Sequence, residues 1–172
     1  SEKYSYDKTE VLNVPGTKFS YSGAGFMLLE HLLEALEGSS FRELSSDFFS
    51  SYELSFDRKD SEQNYVMGKN DNGKDIRLMF PSIAAGALGS ARGVTSFLRD
   101  LALAYKNKSG HNNISHDTAV RMLHGFDRGC KDFMNAKIGL GVFIVEAGLN
   151  KLMLHQGAND GFRAIYLHCF EG

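Results

Sequence analysis

Few residues in this chain stand at spacings that chemistry needs. Ser5-Tyr6-Asp7-Lys8 sets a serine and a lysine three apart, a separation that one helical turn closes, but the surrounding sequence is polar and turn-rich. No Gly-x-Ser-x-Gly elbow offers another serine nucleophile. Cys130 and Cys169 have no metal-like spacing and form either one disulfide or two buried thiols. No histidine pair sits at a ligand spacing with a carboxylate partner. His111 and His116 lie in loop-like sequence and read as solvated. Neither a metal nor any other cofactor is implied. Tyr21 precedes an apolar helical pattern, and His155 leads into Gln156-Gly157 at the end of a β-prone run. Taken singly, they are an ordinary half-buried tyrosine and a satisfied strand histidine.

The elements that hold these residues are legible from periodicity. Phe26, Leu29, Leu33 and Leu36 recur at i, i+3, i+7 and i+10, which predicts a helix from about Ala24 to Glu37 with one apolar face. Gly38 stands where a left-handed cap ends it. Ser40-Phe41-Arg42-Glu43 is a capping-box pattern and predicts a second helix through about Phe49. Residues 53–75 are charged and broken by Asn70-Asp71-Asn72-Gly73, with short strands expected at Tyr65–Met67 and Ile76–Phe80. Ser82–Gly93, rich in Ala, Gly and Ser, reads as a tight buried loop. Thr95 or Ser96 would cap a helix from Phe97 to about Lys106, and Asp117–His124 predicts another. Ile138–Glu146, Lys151–His155 and Phe162–Phe170 are β-prone, joined by turns at Gly148-Leu149-Asn150 and Asn159-Asp160-Gly161. Short connections favour antiparallel pairing. Helices followed by an antiparallel sheet define an α+β class.

Bulk properties narrow the partners. The 172 residues suffice for one core or for part of a larger one. The formal net charge of -2 gives no reason to expect nucleic acid or an anionic membrane. No apolar run approaches the roughly 20 residues needed to span a bilayer. The chain starts at Ser1 rather than at methionine, which fits removal of an upstream segment.

Three segments, in order, carry a family resemblance. Pro15-Gly16-Thr17-Lys18-Phe19-Ser20-Tyr21-Ser22-Gly23-Ala24-Gly25-Phe26 resembles the "PGT-x-F-x-Y-S-N-x-G-Y" stretch of the serine β-lactamase, penicillin-binding protein (DD-peptidase) and esterase superfamily. Ala85-Gly86-Ala87-Leu88-Gly89-Ser90, with Phe97-Leu98-Arg99-Asp100-Leu101, is similar to its "AGGL-x-ST-x-x-DL" segment. His155-Gln156-Gly157-Ala158-Asn159-Asp160-Gly161-Phe162 resembles its "K/H-x-G" strand and the turn that follows. The resemblance implies an incomplete β-lactamase/transpeptidase-like domain over residues 1–172. Residues 1–130 would be its mostly helical part and 131–172 the strands of its sheet.

The implied chemistry is acyl transfer to a serine from an amide or ester, with a base and an oxyanion site. By resemblance the nucleophile lies in a Ser-x-x-Lys helix well upstream of Tyr21. Ser5 is too close to Tyr21 to be that residue, so the chain alone is expected to be inactive. Tyr21 would relay a proton, and His155 would replace the lysine of the sheet motif, near the Tyr21 hydroxyl or a substrate carboxylate. Gly23, Gln156, Gly157 and Asn159 would contact a small-molecule or peptide substrate, Gly157 by letting substrate backbone lie along the strand. Asn159 equally serves the turn alone.

Two departures tilt the reading. Gly23 replaces the asparagine whose amide holds the substrate, and His155 replaces lysine. Both point away from penicillinases toward esterases and peptidases, or toward a non-catalytic binding or regulatory member of the same fold. Without the missing N-terminal part, the apolar edge at Ile165-Tyr166-Leu167 would be open to self-association. The resemblance suggests a periplasmic or secreted location, with cytoplasmic members also known.

Overall fold

The computed structural model describes residues 10–56, 66–76, 82–108, 113–126, 136–159 and 161–172. Helix α1 spans Gly23–Glu37 and α2 Phe41–Ser50. The Ser22 hydroxyl accepts from the Gly25 amide to start α1, and Gly38, at φ 67°, ends it by donating to the Glu34 carbonyl. The capping box expected at α2 is present in both directions. The Glu43 amide donates to Ser40 Oγ at 3.3 Å, and the Ser40 amide donates to the Glu43 carboxylate at 3.0 Å. Hydrogen bonds from Ser40 hold that carboxyl below its usual range.

Between these helices and the sheet lie short pieces. Strand β1 (Leu54–Ser55) pairs antiparallel with β4 (Leu88–Gly89). β2 (Gly68–Lys69) pairs with β3 (Asp75–Ile76) across the Asn70–Gly73 turn. The strand foreseen at Tyr65–Met67 lies instead at Gly68–Lys69, since Val66 and Met67 are not in a strand. Of the one foreseen at Ile76–Phe80, Ile76 lies in β3, and residues 77–80, like Tyr65, lie outside the described residues. Ser82–Gly93 is not a loop. It holds one helical turn, α3 (Ser82–Ala85), then β4, then the start of α4 (Ala91–Tyr105). Ser90 caps α4 by accepting from the Gly93 amide at 3.0 Å, so the helix begins at Ala91, six residues before the Phe97 start read from sequence. Gly93 permits this because a methyl there would strike the Tyr52 carbonyl oxygen. The glycines mark close packing of a helix rather than a turn.

α5 (His116–Leu123) follows, capped by Ser115. Its His116 is exposed but not merely solvated, since ring Nδ1 lies 2.8 Å from the Ala104 carbonyl at the end of α4. The sheet is a four-stranded antiparallel meander in the order β5 (Lys137–Ile138), β6 (Phe143–Ala147), β7 (Asn150–Asn159) and β8 (Phe162–Glu171). The single run expected over Ile138–Glu146 is thus two strands. Gly141, at φ 78°, turns the chain so that Ile138 lies opposite Phe143.

Helices α4 and α5 pack Leu98, Leu101, Ala119 and Leu123 against Ile144, Met153 and Phe170 of the sheet. A smaller cluster joins Ala136, Phe143 and Leu154, with Phe19 packed against it. At the end of α2, the Tyr52 hydroxyl donates to the buried Asp100 carboxylate at 3.1 Å, tying α2 to α4. Among the described residues no helix is long and apolar enough to cross a membrane.

Candidate active site

The site begins at the start of β6. Phe143 pairs with Leu154, so β6 starts there and leaves His155–Asn159 of β7 paired with β8 alone among the described strands. That stretch has one open backbone edge. The segment Phe19–Tyr21 comes to the same place. The Phe19 ring meets Phe143 edge to face at 6.2 Å, and the Tyr21 ring stacks on Phe143 at 6.4 Å. Tyr21 also lies against His155, their ring centroids 6.1 Å apart and tilted by 41°. One residue further on, Ser22 caps α1, so the helix start holds the tyrosine backbone. Tyr21 itself is 65% exposed.

His155 is bracketed by aromatic rings. Phe143 lies 5.6 Å away, and Tyr166, its cross-strand partner on β8, stacks at 6.3 Å. Burial lowers the imidazole below its usual 6.5, opposed by a hydrogen bond with the Gln156 backbone. The ring is therefore neutral at neutral pH and offers a basic nitrogen. Burial pushes the Tyr166 phenol up to about 12, so it stays protonated. A phenol beside a neutral imidazole is a pair of groups from which general acid–base chemistry can be built.

Of the residues expected at the site, Tyr21 and His155 come together. Gln156 and Gly157 follow on β7, opposite Ile165 and Ala164. A methyl at Gly157 would meet nothing within 4 Å, so the strand surface beside it is open. Gly23 is the first residue of α1, where a methyl would have only Ala84 as a neighbour, at 3.9 Å. Asn159 lies four residues along β7 from His155, about 13 Å at strand rise. Its carbonyl accepts from the Arg163 guanidinium at 2.6 Å. Ser5-x-x-Lys8 lies outside the described residues, as does Cys130; Cys169 is an exposed free thiol. No group of three or more His, Cys, Asp or Glu that could hold a metal occurs among the described residues.

The aromatic walls Phe143 and Tyr166 had not been singled out from sequence. Tyr166 was within reach, because the tight connection between Asn159 and Phe162 fixes the register that puts it opposite His155. Phe143 was hidden by the reading of β5 and β6 as one strand.

Helices followed by an antiparallel meander in this order match a fold already solved. The structure superimposes on the crystal structure of the beta-lactamase/D-alanine carboxypeptidase from Pseudomonas syringae with a TM-score of 0.74 at 14% identity. The match covers 94% of this chain and 54% of that one, so the chain spans about half the length of its structural relative. The fold is that of the β-lactamase and carboxypeptidase class. The family model for Beta-lactamase matches residues 4–169, and the chain belongs to that family of serine hydrolases. A comparison with curated proteins found no match.

Proposed function

We propose that this chain carries part of the active site of a serine hydrolase that cleaves an amide or ester through an acyl-enzyme. Its leaning is toward esterase or peptidase rather than penicillinase. The nucleophile and its lysine come from a Ser-x-x-Lys motif outside these 172 residues. The observation that carries the reading is the contact of Tyr21 with His155, two residues 134 positions apart, beside the open edge of β7. The phenol relays a proton to or from the serine or the leaving group. The neutral imidazole hydrogen-bonds that phenol or a substrate carboxylate. Substrate backbone lies along His155–Asn159, where Gly157 keeps the strand clear.

The test uses the complete gene product, a fluorescent penicillin and a fluorophosphonate, with the adduct mapped by peptide mass spectrometry. Labelling of a serine in an upstream Ser-x-x-Lys is expected, stronger with the fluorophosphonate. A folded protein that takes neither probe overturns the hydrolase reading.

A second reading, a non-catalytic binding member of the fold, is favoured by Gly23. The space there would accept a larger side chain, so crowding is not what excludes the substrate-holding amide. Absence of any Ser-x-x-Lys from the complete gene product decides for it.

A further inference from the structure

One ring on β6 meets all three aromatic side chains that the N-terminal segment and β7 bring to the site. Phe143 lies edge to face with Phe19 at 6.2 Å, within 16° of parallel to Tyr21 at 6.4 Å, and 5.6 Å from His155. No other described ring meets all three. The start of β6 fixes where that ring stands. Gly141, at φ 78°, turns the chain, and the Gly139 amide donates to the Val142 carbonyl at 2.8 Å. Successive side chains of a strand take opposite faces. Val142 and Ile144 enter the core between sheet and helices, while Phe143 enters the smaller cluster with Ala136 and Leu154. All three are 6% exposed or less, so the strand is gripped on both faces. The Tyr21 segment is attached differently. Of residues 10–22, all but Asn13 and Phe19 are exposed. Its turn is local, the Thr17 amide and hydroxyl both donating to the Val14 carbonyl. Phe19 and Tyr21 then lay their rings on Phe143, and Ser22 passes the chain into α1.

We propose that Phe143 is a positioning residue for the acylation step: its ring seats the Tyr21 phenol beside the His155 imidazole and sets the geometry in which the two act. The proposal rests on the hydrolase reading and adds a residue that works through Tyr21 and His155. Such seating matters beyond the energy of the contacts, because a displacement of about 1 Å at a reacting group can lower a rate a hundredfold. The same ring helps to cover His155. The titratable groups around that imidazole are the Tyr21 phenol, ahead of α1, and two groups on β8. These are the Tyr166 phenol, directly opposite, and His168, opposite Met153. Burial lowers the proton affinity of His155, so loss of the Phe143 ring raises it.

Four variants of the complete gene product test this. Phe143→Leu keeps apolar bulk but removes the ring, Phe143→Tyr keeps the ring, and Phe19→Ala loosens the clamp from the other side. Phe49→Leu is the control, since Phe49 packs in a separate cluster with Phe48, Phe56 and Phe97. The limiting rate of labelling by the fluorophosphonate should fall about 10- to 100-fold in Phe143→Leu, with the half-saturating concentration nearly unchanged. Its acid limb should move to higher pH. Phe143→Tyr should label close to the unaltered rate, and Phe49→Leu should lower the melting temperature alone. Histidine NMR reads the seating without any activity. Cross-peaks between the Tyr21 and His155 rings should weaken in Phe143→Leu and in Phe19→Ala, and the His155 midpoint should rise toward 6.5 in Phe143→Leu. Labelling of Phe143→Leu at the unaltered rate overturns the proposal, as does a loss matched by Phe49→Leu or retention of the cross-peaks. If Phe143→Leu does not fold, Phe19→Ala decides by its rate and its cross-peaks. A complete gene product that takes no probe defeats the hydrolase reading, and the seating by Phe143 then stands or falls on the cross-peaks.

Discussion

At His155 the protonation state is set by neighbours on the two flanking strands rather than by the residue's own chemistry. Phe143 and Tyr166 flank the ring, and burial lowers its proton affinity. His168, on β8, is lowered in the same direction, by burial and then by Lys106. Each imidazole binds a proton less readily in the folded chain than in the unfolded one. The unfolded state thus takes up more protons as pH falls through 6.5. Their contribution to stability is complete above that pH and drains away below it. Tyr52 and Tyr166, both pushed up to about 12 from 10.0, act at the other end. Their contribution is complete below pH 10.0 and is lost as pH rises toward 12. Urea midpoints measured across the pH range should therefore form a plateau that falls at both ends. On the hydrolase reading, Tyr21→Phe in the complete gene product should lower the acylation rate by about 10²–10⁴ without changing the melting temperature. An unchanged rate removes Tyr21 from the mechanism.

Elements carry the next set of constraints. The Tyr52–Asp100 hydrogen bond ties α2 to α4, and the Gly93–Tyr52 contact lets α4 begin at Ala91. Tyr52→Phe leaves a buried carboxylate with one donor fewer. It should cost about 1–3 kcal/mol, read from denaturant unfolding. At the far end of β7, Gly161 has φ 74° and lies against the Lys69 backbone, where an added methyl would sit 2.7 Å from the amide nitrogen. Gly161→Ala should therefore cost of order 1–3 kcal/mol. It should also speed hydrogen exchange in the β2–β3 hairpin before the rest of the sheet. Loss of protection spread evenly over β7 and β8 would mean that the hairpin does not lean on that turn.

At the scale of the molecule, the described core lies between α4, α5 and the sheet, while α1 and the outer residues of β8 contribute little to it. This is the distribution expected of a chain that spans about half of its structural relative. A dye that fluoresces on apolar surface should bind the native chain strongly. Leu29→Glu with Leu33→Glu should reduce that signal more than Ile165→Lys with Leu167→Lys does, because the leucines of α1 form the larger patch.

Local signals determined much of this on their own. Ser40 and Glu43 three apart specify a helix start, the 3.6-residue period specifies α1, and the turn before Phe162 specifies a hairpin and its register. The motif order around Tyr21, Asp100 and His155 was enough to identify the family, which the matching family model bears out. Three features were decided by tertiary structure. Gly93 lies inside a helix because of a carbonyl from a distant residue, and Gly141 splits an apparently continuous strand by adopting positive φ. The apolar stripe of α1, which a period analysis takes for the buried face, points outward, while Glu30 and Glu34 on the other side accept from amides of α3 and α2. Periodicity reports which side chains share a face. Which face turns inward depends on what the rest of the fold places against it, and those partners, distant in sequence, meet only when the chain has folded.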